Sequence, residues 1–188
     1  GLNGAATLDK SLITARTMIN MDSEDEGIGT VSCAGGLRIE CARPIQRETA
    51  EGTLLRLAIG GLKGGHSGMD IDKERQNANR LMARIVWQLM KHTEGRLVDL
   101  TGGNKDNAIP RECHASLIYA EAAEAAKAEK LAGELAEVLA AEITPYEEGF
   151  TCRVEKEEGA KAAAIPAEAA KDYVTAMYLA PNGVQSRN

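Results

Sequence analysis

Aromatic side chains are scarce in this chain. They make up 3% of its 188 residues, with one Trp and one Phe. The core is therefore expected to be aliphatic, built from Leu, Ile, Val, Met and Ala. A nucleic-acid platform, which stacks bases on rings set in a basic face, is excluded. The charge balance agrees: 22 Lys and Arg stand against 28 Asp and Glu, a net charge of −6. Long hydrophobic runs are missing too. None approaches the ~20 apolar residues of a membrane helix, so no membrane partner is expected. No basic stretch followed by an apolar one opens the sequence in the manner of a secretory signal. Cysteine pairs are absent: Cys33, Cys41, Cys113 and Cys152 are scattered, with no Cys-x-x-Cys spacing, and read as reduced, mostly buried thiols of a cytoplasmic protein. Histidine is limited to His66, His92 and His114, which restricts how complete a metal site these residues can form.

What is present is an ordinary globular composition, 44% hydrophobic and 27% charged, at a length that suits one domain, or one domain with an appendage. Arg16–Met21 is a short strand candidate running into the acidic cluster Asp22–Glu26. Two β-like stretches, Ile28–Cys33 and Leu37–Ile45, flank Gly35-Gly36 as in a hairpin. Thr53–Ile59 places Leu55, Leu57 and Ile59 on one face of a strand. Ala78, Leu81, Met82, Ile85, Val86, Leu89 and Met90 recur at helical spacing, which predicts a helix over 73–92 with Asp72 as its N-cap and Glu74 in its first turn. Arg96–Thr101 and Glu112–Tyr119 read as strands, 121–143 as an Ala- and Glu-rich helix, Phe150–Val154 as a strand and Ala167–Leu179 as a shorter helix behind Pro166. From residue 53 the order is strand, helix, strand, strand, helix, strand. This is the α+β, ferredoxin-like split βαβ pattern, an antiparallel sheet with two helices on one face and, here, an added C-terminal helix. Such a fold hosts many functions and chooses none.

Three segments carry the residues that could do chemistry. Gly60-Gly61-Leu62-Lys63-Gly64-Gly65-His66-Ser67-Gly68 has more glycine than a strand-to-helix connection requires. It lacks the GKS or GKT of a Walker loop and contains no GxGxxG, which disfavours nucleotide binding. His66 stands out there, either as a surface histidine in a loop or as one presented to a ligand as hydrogen-bond donor or proton carrier. Gly102–Arg111 is a turn-rich loop, in which Asn107 before Ala108-Ile109-Pro110 is a stiffly mounted amide. Asp22, at the end of a strand candidate, is either a solvated loop residue or a metal-ligating carboxylate.

Together, Ile19-Asn20-Met21-Asp22-Ser23-Glu24-Asp25-Glu26-Gly27, Cys33-Ala34-Gly35-Gly36, Gly61–Gly68 and Asn107-Ala108-Ile109-Pro110-Arg111-Glu112 resemble the aminoacyl-histidine dipeptidases (Xaa-His dipeptidases, or peptidase D). Asn77-Ala78-Asn79 and Pro181-Asn182-Gly183-Val184 also fit. That family belongs to the co-catalytic zinc peptidases, with carboxypeptidase G and aminoacylase. Gly1-Leu2-Asn3-Gly4-Ala5 is similar to the tail of its Glu-Glu-x-Gly-x-x-Gly-Ala motif, which would place the Glu pair immediately upstream. The resemblance implies a catalytic domain with two zinc ions and an inserted, ferredoxin-like lid or dimerisation domain. It makes this chain that insertion with its lead-in, inactive when isolated. It also implies Asp22 as a ligand of one zinc, His66 as the lid histidine that helps hold the oxyanion of the tetrahedral intermediate, and Asn107 as a substrate-contacting lid residue. The implied division is 1–30 lead-in, 31–180 lid and 181–188 return segment. The implied partners are a dipeptide such as Xaa-His and a second copy of the chain, and the implied location is the cytoplasm. His92 and His114 match no site position and are left to structural roles. The alternative is a stand-alone ferredoxin-like module that binds a small ligand or dimerises without catalysis.

Overall fold

The computed structural model describes residues 7–19, 26–29 and 35–186. Internal packing divides the chain into two units, Gly1–Ala42 and Arg43–Asn188. In the first unit the described residues hold one 3₁₀ turn, Lys10–Leu12, capped by Asp9, whose carboxylate accepts a hydrogen bond from the Ser11 amide at 2.9 Å. The strands expected over 16–21 and 28–45 do not form at their described residues. Apolar alternation makes a strand only where a neighbour pairs with it and something covers one face. Here Met18, Ile19, Leu37 and Ile39 are 88%, 83%, 86% and 74% exposed.

The second unit is built on the expected split βαβ order. Its strands are β1 (Glu48–Gly60), β2 (Gly65–His66), β3 (Arg96–Gly102), β4 (Ala108–Ile109), β5 (Cys113–Tyr119) and β6 (Thr151–Ala164). Its helices are α1 (Ala78–His92), α2 (Ala122–Ile143) and α3 (Ala167–Leu179). Four strands form an antiparallel sheet in the order β3-β5-β1-β6. Alternation decides its faces: Leu55, Leu57 and Ile59 of β1 join Cys113, Ala115 and Leu117 of β5 in one core with both long helices. Into that core α1 buries Leu81, Met82, Ile85, Val86 and Leu89, and α2 lays the small side chains of Ala125, Ala128 and Ala132. The core is aliphatic, as the shortage of rings requires, with buried Tyr119 as its aromatic member. The third helix, α3, rests beside α1, and Tyr173 donates its hydroxyl to the Leu100 carbonyl at 2.9 Å.

Two details depart from the sequence expectation. Strands β1 and β6 run well beyond 53–59 and 150–154, because Glu48–Gly52 pairs with Ala160–Ala164 past a register shift between Gly52 and Leu54. That extension is polar or small in composition, so it carries little apolar signature. The first helix starts at Ala78 instead of residue 73. Residues Ile71–Lys73 form a separate 3₁₀ turn and Glu74 adopts a left-handed φ of 53°, which stops helical propagation. Asn77 is the N-cap, its side-chain oxygen accepting from the Asn79 and Arg80 amides at 3.0 and 3.4 Å.

Candidate functional site

The glycine-rich segment does not stay a loop. Gly65-His66 pairs with Ala108-Ile109 as a two-stranded ribbon, with His66 opposite Ala108, and the Ser67 amide donates to the Asn107 carbonyl at 2.9 Å. His66 and Asn107, 41 residues apart in sequence, therefore become neighbours on one small ribbon, and both are exposed. Asp22 lies outside the described residues. His92 ends α1, and His114 sits exposed on β5.

The imidazole of His66 is oriented by its own loop. Its Nδ1 accepts hydrogen bonds from the Gly68 and Met69 amides, at 3.0 and 3.2 Å. An accepting Nδ1 carries no proton, so the neutral ring holds its hydrogen on Nε2. His66 thus presents a single ring N–H donor on the side away from the loop.

Asp70, which carries no motif of its own in the sequence, organises this turn. Its carboxylate accepts from the His66 amide at 2.7 Å and from Lys73 Nζ at 2.6 Å, and Arg75 Nη1 lies 3.5 Å away. The Lys73 ammonium foremost, then the His66 amide and the Arg75 guanidinium, hold the Asp70 carboxyl down at about 2. Arg75 also donates to the Gly64 carbonyl. At Gly64, where φ is +62°, a Cβ would stand 2.2 Å from Cγ of Arg111, so only glycine lets the ribbon lie this close to that side chain.

The base of the loop is closed by a second residue absent from the sequence reading. Glu147, in the turn that follows α2, is 1% exposed. Its carboxylate accepts from the Lys63 amide at 2.7 Å and the Gln76 amide at 3.0 Å. Asp70 leaves only a weak signal, since aspartate is common in turns of every kind. Glu147 leaves no local signal, because its partners are backbone groups 84 and 71 residues away.

Two clefts adjoin the ribbon, and Ala108, Ile109 and Pro110 line both. One, of about 470 Å³, is lined by Gly65, Thr101, Pro110, Arg111, Glu112 and His114 among others. The other, of about 510 Å³, includes Ser67, Arg75, Asn77, Lys105, Ile109 and Asn182. The second cleft is tied to the C-terminal segment, where Asn77 Nδ2 donates to Asn182 Oδ1 at 2.9 Å. The thiols play no part here. Burial pushes Cys113 up to about 12 and Cys152 to about 11; Cys41 is exposed instead of buried, and Cys33 lies outside the described residues. Among the described residues, no three His, Cys, Asp or Glu side chains lie together as a metal site would need, and no helix is long and apolar enough to cross a membrane.

Comparison with known proteins places this geometry in context. Residues 57–147 match the family model described as the peptidase dimerisation domain. The chain is 33% identical, over 187 residues, to the cytosol non-specific dipeptidase of Escherichia coli (strain K12). That alignment covers 98% of this chain and 38% of the relative, so the chain spans well under half of the relative's length. The crystal structure of aminoacylhistidine dipeptidase from Vibrio alginolyticus matches with a TM-score of 0.70 and 31% identity, over 77% of this chain and 29% of that one.

Proposed function

We propose, from the match of residues 57–147 to the peptidase dimerisation domain, that this chain is the lid and dimerisation part of a dizinc dipeptidase that hydrolyses dipeptides such as Xaa-His. One observation carries the reading. The ribbon brings His66 beside Asn107 and leaves the ring with its hydrogen on Nε2. A fixed N–H donor on a rigid, exposed mount is what an oxyanion needs as negative charge develops on a scissile carbonyl. Asn107, on the neighbouring strand end, is the substrate-contacting residue in this reading. The names of the dipeptidases that the chain resembles support the substrate class and a cytoplasmic location.

The described residues do not make a zinc centre by themselves. In this proposal the zinc ions, which would supply the activated water, belong with ligands beyond this domain; Asp22 is the candidate contribution from this chain. What these residues do is narrower. They carry the His66 donor, fix its tautomer and hold Asn107 next to it. The proposed division, 1–30 lead-in, 31–180 lid and 181–188 return segment, fits the exposed apolar side chains of Leu12, Met18 and Ile19, which suit burial against a larger body.

The 188-residue chain alone tests the assignment. It is expected to sediment as a dimer at micromolar concentration and, with zinc added, to release no histidine from a Xaa-His dipeptide. A monomer throughout that range, or measurable turnover, contradicts the proposal.

A further inference from the structure

We propose that Glu147 is a positioning residue that sets the tautomer and aim of His66 by clamping both ends of its loop with one buried carboxylate. The inference rests on the role proposed for His66, and its geometry stands on separate observations. The loop leaves the core at Leu62 and rejoins it at Asn77, the N-cap of α1. Lys63 and Gln76 are therefore its first and last residues, and their two amides are the ones that Glu147 accepts, at 2.7 and 3.0 Å. One oxygen serves each end. The carboxylate is 1% exposed, so water cannot replace a lost partner, and an amide left without an acceptor there is costly.

Backbone packing brings the carboxylate to this point. Gly61 has φ +75°, and a Cβ on it would stand 1.8 Å from the Gly149 carbonyl oxygen. The chain leaving β1 thus lies directly against the turn that holds Glu147. That turn is itself anchored, with the Glu147 amide donating to the Ile143 carbonyl at 2.8 Å and the Phe150 amide to the Glu147 carbonyl at 3.0 Å. Between the clamped ends the loop has little choice of path. Arg75 ties Gly64 from within, Asp70 ties the His66 amide, and the ring ends with Nδ1 over the Gly68 and Met69 amides. Releasing the base lets 63–76 drift, and the two amides no longer stay aligned on Nδ1.

The test is a long-range ¹H–¹⁵N correlation of the neutral His66 ring, with amide hydrogen exchange, on the 188-residue chain and on E147Q. The substitution keeps the size and one acceptor but turns an NH₂ donor toward one of the two amides. In the wild type, Lys63 and Gln76 are expected to be protected and the ring to hold its proton on Nε2. In E147Q, exchange at Lys63 and Gln76 is expected to rise at least about tenfold and the ring to become a mixture of tautomers. Leu57 and Leu117, in the core strands, are expected to keep wild-type exchange, which separates loss of the clamp from loss of the fold. A pure Nε2–H ring in E147Q overturns the proposal. So does unprotected exchange at Lys63 or Gln76 in the wild type, a measurement that stands even where E147Q does not fold. Neither readout depends on turnover, so failure of the catalytic role of His66 and failure of the clamp are told apart.

Discussion

His66 gains its chemical definition from the Gly68 and Met69 amides on Nδ1, in a turn that the Asp70 carboxylate closes. Two amides accepted at Nδ1 make the ring a one-sided donor, and Asp70 keeps those amides in place through the His66 amide and Lys73. The acid behaviour of the loop follows from this. Asp70 lies below its ordinary 3.8, at about 2, chiefly because Lys73 and the His66 amide favour its charged form. A carboxyl lowered in the fold contributes order that is complete above its ordinary value and is lost as pH falls through the folded one. Amide protection at His66 is therefore expected to persist at pH 5 and to decline between about 3.8 and 2, while D70N shows weaker protection with no step in that window. Equal acid profiles for the two proteins would contradict the role given to Asp70. The thiols offer a second check at this scale. Cys113, raised to about 12 by burial, is expected to resist iodoacetamide at pH 8 in the folded chain while exposed Cys41 is alkylated; modification of Cys113 at a comparable rate would be inconsistent with the core described.

At the scale of elements, long periodic segments are legible in the sequence and short paired ones are not. The stripe Leu81, Met82, Ile85, Val86 and Leu89 predicts α1, and Ala167–Leu179 forms α3 as read, because each buries one continuous face. Ribbon β2-β4 is two residues per strand and exists only because residues far apart in sequence, His66 and Ala108 among them, meet, so no local pattern announces it. The start of α1 differs from its expected place because Asp72 and Asn77 both suit a cap; the left-handed Glu74 between them decides for Asn77. Asn77→Ala should cost about 1 kcal/mol in urea unfolding, and no change would remove the cap from the account. The alanine face of α2 makes the opposite kind of prediction. Ala132 is fully buried against the sheet, so Ala132→Leu should destabilise by roughly 1–3 kcal/mol through overpacking, although it adds apolar surface. A neutral or stabilising result would mean that α2 stands farther from the sheet.

At the scale of the whole molecule, the aromatic-poor composition yields an aliphatic core whose sheet carries an exposed ribbon. The aliphatic core of the second unit supports a sheet, the sheet supports Glu147 and the glycine-rich path, and these deliver one ring nitrogen and one amide to an exposed ribbon. The resemblance of Gly61–Gly68 and Asn107–Glu112 to a peptidase family makes the domain legible without its fold. The clamp is not, because a carboxylate that bonds to backbone amides leaves its partners without a sequence signature. The most direct measurement is turnover of a Xaa-His dipeptide by the full reading frame that carries these residues, wild type and His66→Ala, with bound zinc determined on the same samples. The expected result for His66→Ala is a fall in kcat of roughly 10²–10³-fold, the size seen when an oxyanion donor is removed, at unchanged zinc content. An unchanged kcat, or a loss of activity matched by a loss of zinc, would contradict it.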